Sequence, residues 1–232
     1  RQLMACLCFY RVVYKLSEQE GTIRFAYSLA PLEPALCTNP HLAELSAWRE
    51  ILHRLDLLGQ HADRYGGYAY GNLSIMEESG SFLITASQTS GAPELLMEHL
   101  VRISEVNFER FWAEAAGSEP PSSETLTHGM IYAAERRANC VFHVHNPEIW
   151  QQHEALNLPA TAADVAYGTP AMARAVHELL QTHQSRPLVF ATAGHEDGIF
   201  ALGHSPWECG SQLVACLAKA RALRQVAASG AA

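Results

Sequence analysis

The 232-residue sequence predicts an α/β domain in which helices cover a sheet that contains antiparallel pairs. Predicted strands and helices mix along the chain without strict alternation, which disfavours a purely parallel, doubly wound sheet. A turn at 77–80 between two apolar runs predicts an antiparallel hairpin. The composition, with 48% hydrophobic and 17% charged residues, is typical of a globular chain with a core. It argues against disorder, a fibrous repeat or a coiled coil.

The elements are predicted from hydrophobic periodicity and from end signals, such as a polar cap before a first-turn proline. In order, these signals predict a strand over 22–27, a helix from Asn39-Pro40 to Gly59, strands over 68–76 and 81–85, and a candidate helix over 93–100. They then predict a helix from Ser122-Ser123 to about 137, a strand over 141–145, a helix from Thr169-Pro170 to about 183, strands over 188–192 and 199–202, and a terminal helix from Pro206 to about 226.

Charge and cysteine content narrow the function classes. The net charge is −8 and the basic residues are scattered, so we expect neither a nucleic-acid nor a membrane-surface partner. No apolar run approaches the ~20 residues of a membrane span, and 3–13 lacks a signal-peptide cleavage pattern. The six cysteines form no CxxC pair, which favours reduced thiols and a cytoplasmic location.

The clearest candidate for chemistry is the segment Phe142-His143-Val144-His145. Alternate residues of a strand face the same side, so both imidazoles are expected on one face while Phe142 and Val144 enter the core. Two neutral imidazoles on a strand can hold a divalent metal. The alternative is a pair of ordinary histidines, satisfied by water or carbonyl groups.

Three further positions add to this candidate. Glu124, His128 and Tyr132 are spaced by four and share one face of the helix that leads into the strand. A first-turn acid and a solvated helix face are the alternatives for them. His195 follows a predicted strand and lies in a turn, where it could complete a site or cap its neighbours. Three imidazoles with one carboxylate suit a zinc-like ion.

These segments resemble the class II aldolase/adducin family, of which fuculose-phosphate aldolase is a well-known type. The resemblance covers 42–217, and the interval from Glu124 to His143 also fits the family's spacing. It rests on Gly71-Asn72-Leu73-Ser74, Phe82-Leu83-Ile84-Thr85, Ser122-Ser123-Glu124, the helix with His128 and Tyr132, His143-Val144-His145 and the Gly194-His195 turn.

The resemblance implies a three-layer α/β/α sandwich with a mainly antiparallel central sheet, and a homotetramer with active sites between neighbouring protomers. It implies His143, His145 and His195 as metal ligands, and Glu124 as a ligand that leaves the metal and acts as the base. Zinc is the expected metal, with manganese, cobalt or iron also compatible. The implied reaction passes through an enediolate, a step shared by aldol cleavage, epimerisation, dehydration and decarboxylation.

The sequence departs from the family in the substrate-binding loop. Sugar-phosphate aldolases of the family have a Thr-Gly there, whereas this chain has Ser87-Gln88. Asn72, Ser87, Gln88, Ser122 and Ser123 are the candidate substrate-binding residues, and hydroxyl or amide donors among them could hold a phosphate. Gln88 equally suits an unphosphorylated anchor, and a plain polar loop is a third interpretation.

The sequence also lacks the family's catalytic tyrosine, because Ala163 stands at its position. Tyr167, near Asp164, is a candidate proton donor across a subunit interface, although core packing explains it equally well. Many relatives have a glycine directly after the third histidine, where this chain has Glu196-Asp197.

We therefore expect a cytoplasmic, metal-dependent aldehyde-lyase of carbohydrate metabolism that acts on a small hydroxy-carbonyl or sugar(-phosphate) substrate. The alternatives are a related epimerase, dehydratase or decarboxylase, a non-catalytic adducin-like binding module, and a structural zinc protein. For the last, Cys140 is the nearest cysteine but faces away from His143.

The terminal helix, with Trp207 and Cys209, is a candidate for subunit contact or for core. The predicted domains are an N-terminal extension at 1–20, the class II aldolase/adducin-like domain at 21–226 and a flexible tail at 227–232.

Overall fold

The structure is a computed structural model that describes residues 21–32 and 39–230. The predicted N-terminal extension at 1–20 lies outside the described residues, as do Cys6, Cys8 and Cys37 and the last two residues of the predicted tail. The terminal helix continues to Gly230, past the predicted domain boundary at residue 226.

The described residues form eleven strands and five α-helices. The strands are β1 (Ala26–Ala30), β2 (Gly59–Gln60), β3 (Ala69–Tyr70), β4 (Asn72–Met76), β5 (Phe82–Thr85), β6 (Leu100–Asn107), β7 (Trp112–Gly117), β8 (Cys140–His145), β9 (Ala160–Thr161), β10 (Leu188–Thr192) and β11 (Gly198–Gly203). The helices are α1 (Leu42–Arg54), α2 (Thr125–Ala134), α3 (Pro147–Trp150), α4 (Pro170–Thr182) and α5 (Pro206–Gly230).

Nine strands form one sheet in the order β1-β7-β6-β5-β4-β8-β11-β10-β9, and β2 pairs with β3 separately. The α/β class is confirmed, but the expectation of a mainly antiparallel sheet is corrected to a mixed sheet. Both edge strands, β1 and β9, run parallel to their neighbours, while the inner pairs are antiparallel. The connection from β9 to β10 contains α4, and such a helical crossover returns the chain for parallel pairing.

Helices pack on each side of this sheet over a separate apolar cluster. Side chains of α2 and α4, such as Leu126 and Val176, join one cluster with Val141 from β8. Helices α1, α3 and α5 contribute to the other cluster, which contains Phe142 and Val144 of the same strand. Burial of each such side chain contributes about 1.5–3 kcal/mol to stability. The alternation along β8 therefore fixes which of its side chains face α2.

Several element predictions were wrong in position or type. The opening strand is Ala26–Ala30 rather than 22–27, because pairing with β7 begins at Ala26. Helix α1 ends at Arg54, before Gly59, because Leu57 and Leu58 are fully buried in the core and Gly59 pairs in β2. The candidate helix over 93–100 is only a 3₁₀ turn at Met97–His99. Strands β6 and β7 were not predicted.

Cys209 and Trp207, two residues of the terminal helix, differ in burial. Cys209 is fully buried, whereas Trp207 is 65% exposed and lies edge-on against Trp48. Cys209 is therefore a core residue rather than a contact residue. None of the helices in the described ranges is both long enough and apolar enough to cross a membrane.

Candidate metal centre

Strand β8 presents His143 and His145 on one face, as the alternation predicts. The strand lies between β4 and β11 and is hydrogen-bonded to both, so its backbone is held along each edge. Both imidazoles are fully buried, and their Nε2 atoms lie 3.1 Å apart. Two ring nitrogens at this distance, held by a rigid strand, can share one bound ion.

His195 reaches these two histidines from the turn between β10 and β11. Its backbone N–H donates to Thr192 O at 3.0 Å, and its own carbonyl accepts from the Gly198 N–H at 3.0 Å. Gly194 is needed because an added Cβ would lie 2.1 Å from the Val165 carbonyl oxygen. The tight turn places the His195 side chain inward. One nitrogen from each of the three histidines lies within 4.8 Å of the other two.

The three histidines fit a divalent ion. The Nδ1–H of His143 donates to the carbonyl of Ile199 at 3.2 Å, which leaves Nε2 with its lone pair directed at His145. Burial, together with the charges of His195 and Arg64, holds the pKa of His145 well below its ordinary value. A buried, neutral imidazole is the form that binds metals.

Glu124 places a carboxylate beside this cluster. It stands at the N-cap of α2, is 1% exposed, and its Oε1 lies 3.7 Å from Nδ1 of His195. The Thr127 hydroxyl donates to the other oxygen, Oε2, at 2.7 Å. The first-turn position alone would let this side chain face solvent. Here it is buried and lies against His195 instead, next to the group of potential ligand atoms, which contains the three histidines.

The five candidate substrate-binding residues lie together beside the cluster. Asn72 is directly opposite His143 in the β4–β8 register, so their side chains share a face. Ser123 immediately precedes Glu124. The five candidates all line one small pocket: Asn72, Ser87, Gln88, Ser122 and Ser123.

His128 and Tyr132 are not solvated, and they do not join the histidine cluster. Both are buried, and both hydrogen-bond to the Ser74 hydroxyl at 2.7 Å. Burial lowers the pKa of His128 to about 3, so it is neutral. The ring of Phe200 lies between His128 and His143, at 5.6 Å and 4.2 Å between centroids. The triad therefore contacts Phe200, whose ring also stacks on His143.

Tyr167 packs against the cluster from another side. Its ring stacks on His195 with centroids 4.4 Å apart and planes 19° from parallel. The Arg24 guanidinium lies 4.5 Å from the Tyr167 ring centroid and donates to the Tyr167 carbonyl at 3.2 Å. Nearby Asp164 is exposed. Tyr167 therefore orients a site histidine, whatever part its hydroxyl plays.

Sequence analysis missed two tyrosines that contact His145. Tyr65 lies edge-on to this imidazole at 4.9 Å and donates from its hydroxyl to Asp197 at 2.6 Å, and the Tyr70 ring lies 5.8 Å away. Burial raises the pKa of both hydroxyls, and so do their bonds to Asp197 and Asp56, respectively. The signal in the sequence was the glycine-rich aromatic run from Tyr65 to Tyr70.

Arg64 and Asp56 hold these tyrosines in place. Arg64 donates to both tyrosine hydroxyls at 3.0 Å and to Asp56 at 2.6 Å. Burial works against ionisation of Asp56, but hydrogen bonds from Tyr70 and His61 and the charge of Arg64 outweigh it, so the pKa of Asp56 lies below its usual value. A charged, hydrogen-bonded network thus borders His145.

Comparison with known proteins identifies the family of the chain and finds solved structures with the same fold. Residues 58–228 match the family described as Class II Aldolase and Adducin N-terminal domain. No curated protein matches the chain. Among solved structures, L-fuculose-1-phosphate aldolase from Thermus thermophilus aligns with a TM-score of 0.61 and 22% identity, over 82% of this chain and 95% of that chain.

Two other solved structures share the fold at lower identity. A sugar-phosphate aldolase from Thermotoga maritima aligns with a TM-score of 0.62 and 14% identity, over 81% of this chain and 94% of that chain. YgbL from Escherichia coli, described as an aldolase, epimerase or decarboxylase, aligns with a TM-score of 0.57 and 17% identity, over 79% of this chain and 88% of that chain.

Proposed function

Because the chain belongs to the class II aldolase and adducin family, we propose that it is a metal-dependent lyase of carbohydrate metabolism. It acts through an enediolate on a small hydroxy-carbonyl or sugar compound. The observation that carries this proposal is the buried group of His143, His145 and His195, with ligand atoms within 4.8 Å and the Glu124 carboxylate beside them. A closed structural zinc site would leave no reason for an adjoining polar pocket.

The three histidines hold the ion in this proposal, and Glu124 contributes an oxygen while substrate is absent. Zinc is the first expectation, and manganese, cobalt or iron also suit imidazole and carboxylate ligands. A divalent ion held there supplies Lewis-acid chemistry, since its charge stabilises negative charge that develops on neighbouring oxygens. The bound compound is a chelating one, with a carbonyl next to a hydroxyl.

Glu124 moves the proton. The Thr127 hydroxyl donates to Oε2 and fixes this oxygen, while Oε1 faces the cluster. When the C–C bond breaks, its electron pair moves toward the carbonyl, and a proton must reach the carbon that is left. A buried carboxylate next to that carbon can carry this proton in either direction.

Other residues bind and orient the substrate in this proposal. Asn72, Ser122 and Ser123 line the pocket next to Glu124 and donate or accept hydrogen bonds with the rest of the compound. Tyr167 is our candidate proton donor: it would protonate the aldehyde oxygen in the condensation direction, and in cleavage the hydroxyl proton of that fragment would leave toward it as the aldehyde forms. Its stacking on His195 supports a place near the reaction. A buried site of this kind excludes bulk water from the charged step.

Assembly and location belong to the same proposal. The enzyme acts as a homotetramer with sites between protomers, in the cytoplasm, and its fold is a three-layer α/β/α sandwich with one helical layer on each side of the sheet. The exposed Trp207 ring is a candidate for subunit contact. The tetramer is tested by analytical ultracentrifugation of the full chain, where a monomer would contradict it.

The experiment that tests the function is a turnover assay of the metal-loaded full chain with ketoses and ketose phosphates, detecting the released aldehyde. Wild-type protein is expected to release aldehyde, and Glu124→Gln is expected to lose this activity while remaining folded. Bound metal with epimerisation and no aldehyde would favour a related isomerase. A chain with neither bound metal nor turnover would favour the adducin-like binding module.

A further inference from the structure

We propose that Tyr65 and Asp197 form a clamp that positions His145 and His195 for the metal ion. Both are positioning residues, because each acts on the ion through a histidine rather than by contact with it. This inference rests on the proposed function in one respect, since it requires a metal ion at the three histidines. The clamp itself is defined by contacts among the described residues.

Asp197 lies in the turn that carries His195. The His195 carbonyl accepts from the Gly198 N–H at 3.0 Å, so residues 195–198 form a four-residue turn with Asp197 at its third position. Asp197 has φ +62°, and a positive φ at this position is typical of a type II turn, which favours glycine or asparagine there. A residue with a Cβ is strained in this conformation, and such strain persists where surrounding contacts hold the residue in place.

The backbone of Asp197 also contacts the strand that carries His145. The Asp197 carbonyl accepts from the N–H of Asn146, the residue after His145, at 2.9 Å. Gly198, the next residue, pairs with His145 in the β8–β11 register. Asp197 is 8% exposed, so its carboxylate needs partners within the protein. One residue therefore joins the backbone segments of two of the three histidines.

Tyr65 supplies the partner for this carboxylate. Its hydroxyl donates to Oδ2 of Asp197 at 2.6 Å. The Arg64 guanidinium donates to the same hydroxyl at 3.0 Å. Since an arginine side chain can only donate, the proton of the Tyr65 hydroxyl is directed at Asp197. A hydrogen bond to a carboxylate is charge-assisted, which makes it stronger than a bond between neutral groups.

Tyr65 is itself held in a disfavoured conformation. It has φ +47°, and Gly66 and Gly67 follow with φ +68° and +82°. Glycine adopts this left-handed region freely, but a bulky side chain is rarely found there. The Tyr65 ring lies edge-on to His145, with centroids 4.9 Å apart. Two strained residues from distant parts of the chain thus meet in one hydrogen bond beside the histidine cluster, and such strain is concentrated at functional sites.

The clamp limits the movement of two ligands at once. The Tyr65 ring restricts rotation of the His145 imidazole, and Asp197 restricts the turn from which His195 reaches the cluster. Loss of the hydrogen bond would loosen both histidines without removing a ligand atom. Residues that orient metal-binding histidines typically contribute about 10–100-fold to metal affinity. The expected effect of breaking the clamp is therefore on the metal dissociation constant.

The test is the zinc dissociation constant of the full chain, measured by competition with a chromophoric zinc chelator. Asp197→Gly removes the carboxylate at a position whose φ suits glycine, and Tyr65→Phe removes only the hydroxyl. Each is expected to raise the dissociation constant at least about tenfold. Asp197→Asn keeps an oxygen acceptor and tolerates positive φ, so its dissociation constant is expected within about threefold of wild type. If Asp197→Gly does not fold, Tyr65→Phe decides the question, because it removes a single oxygen.

Asn157→Gly is the matched control. Asn157 is an exposed residue that also has a positive φ, +55°, but it lies outside the clamp. The exchange relieves similar backbone strain and is expected to leave the zinc dissociation constant unchanged. The free energy of unfolding of each metal-free variant is measured alongside by denaturant titration. A merely structural role would lower this free energy and leave the zinc affinity of the folded chain intact.

A double-mutant cycle tests whether the two residues act as one unit. If they act through their shared hydrogen bond, Tyr65→Phe combined with Asp197→Gly is expected to raise the zinc dissociation constant no further than either single substitution. Independent effects that multiply would overturn the clamp. So would folded Asp197→Gly and Tyr65→Phe variants that bind zinc like wild type. An Asp197→Asn variant as weak as Asp197→Gly would also overturn it, because the effect would then belong to the charge.

The same measurement separates this inference from the proposed function. Zinc binding by the wild-type chain, with no change in the variants, would contradict the clamp alone. A wild-type chain that binds neither zinc nor manganese, cobalt or iron would contradict both the metal-dependent function and the clamp.

Discussion

The histidine cluster and the polar pocket lined by Gln88 are neighbours, but their side chains are arranged differently. In the cluster, His143, His145 and His195 converge, with one ring nitrogen of each within 4.8 Å of the others. In the pocket, Gln88 is one of the lining residues, and its amide bonds to the backbone of Ala69 instead of to another side chain of the pocket. The contrast suggests that the end of the site that sets the reaction and the end that sets the substrate can change separately.

The largest expected effect is on the cluster, from His143→Ala. Removal of one of three imidazoles should lower metal affinity by more than about 100-fold, beyond what the loss of a supporting residue costs. The measurement is metal content by elemental analysis after dialysis. His177→Ala, at an exposed position on α4, is the matched control and should retain the metal of wild type. Equal metal in both variants would place the ion elsewhere.

The next effect separates metal binding from chemistry. Glu124→Gln keeps the shape of the side chain but cannot carry a proton, so kcat should fall by about 10²–10⁴ while most of the metal stays bound. The comparison is with Glu178→Gln, an exposed residue of α4, whose kcat should equal that of wild type. A folded Glu124→Gln variant with undiminished kcat would remove this carboxylate from the mechanism.

A smaller effect distinguishes the histidine cluster from the buried triad of Ser74, His128 and Tyr132. Ser74→Ala leaves His128 Nδ1 and the Tyr132 hydroxyl without their shared partner, which should cost about 1–3 kcal/mol in the free energy of unfolding. Metal content should not change, because Phe200 separates this triad from His143. Denaturant titration and elemental analysis of one preparation check both parts. Loss of metal without loss of stability would mean that the triad belongs to the metal site.

The smallest effect concerns pH. His128 has its pKa lowered from 6.5 to about 3 by burial, so below pH 6.5 the unfolded chain binds a proton that the folded chain does not. Stability from this group is complete above the unfolded pKa and declines as pH falls, by about 1.4 kcal/mol per unit. In metal-free protein, His128→Gln should reduce the slope of unfolding free energy against pH by close to this amount between about pH 5.5 and 4.5. An unchanged slope would contradict a neutral, buried His128.

The sequence predicted the elements that carry the cluster because their signals are local. Alternation in β8 places His143 and His145 together without any tertiary information. His195 was added from its place in a turn after a predicted strand and from the family resemblance, since no local spacing relates it to β8. Strands β6 and β7 escaped prediction for physical reasons. A register irregularity between Ile103 and Glu105 breaks the alternation of β6. Three of the six residues of β7 are alanine, which favours helices unless flanking strands impose pairing.

The rest of the site depends on contacts that are distant in sequence. Tyr65 reaches Asp197 across 132 residues, and no spacing rule relates the two. Gln88 was visible as a departure from glycine, but the direction of its side chain depends on its bonds to Ala69 and on the cover of Gly21. The sequence thus predicted which residues line the pocket, but it did not predict the direction of the Gln88 side chain.

The most direct test of the central claim is X-ray absorption spectroscopy at the zinc edge on the zinc-loaded full chain. The account predicts one ion per chain with three imidazole nitrogens at about 2.0–2.1 Å, completed by oxygen. His143→Ala should lose this signature. Sulfur ligands at about 2.3 Å, or a spectrum without imidazole scattering, would contradict a metal centre built on His143, His145 and His195.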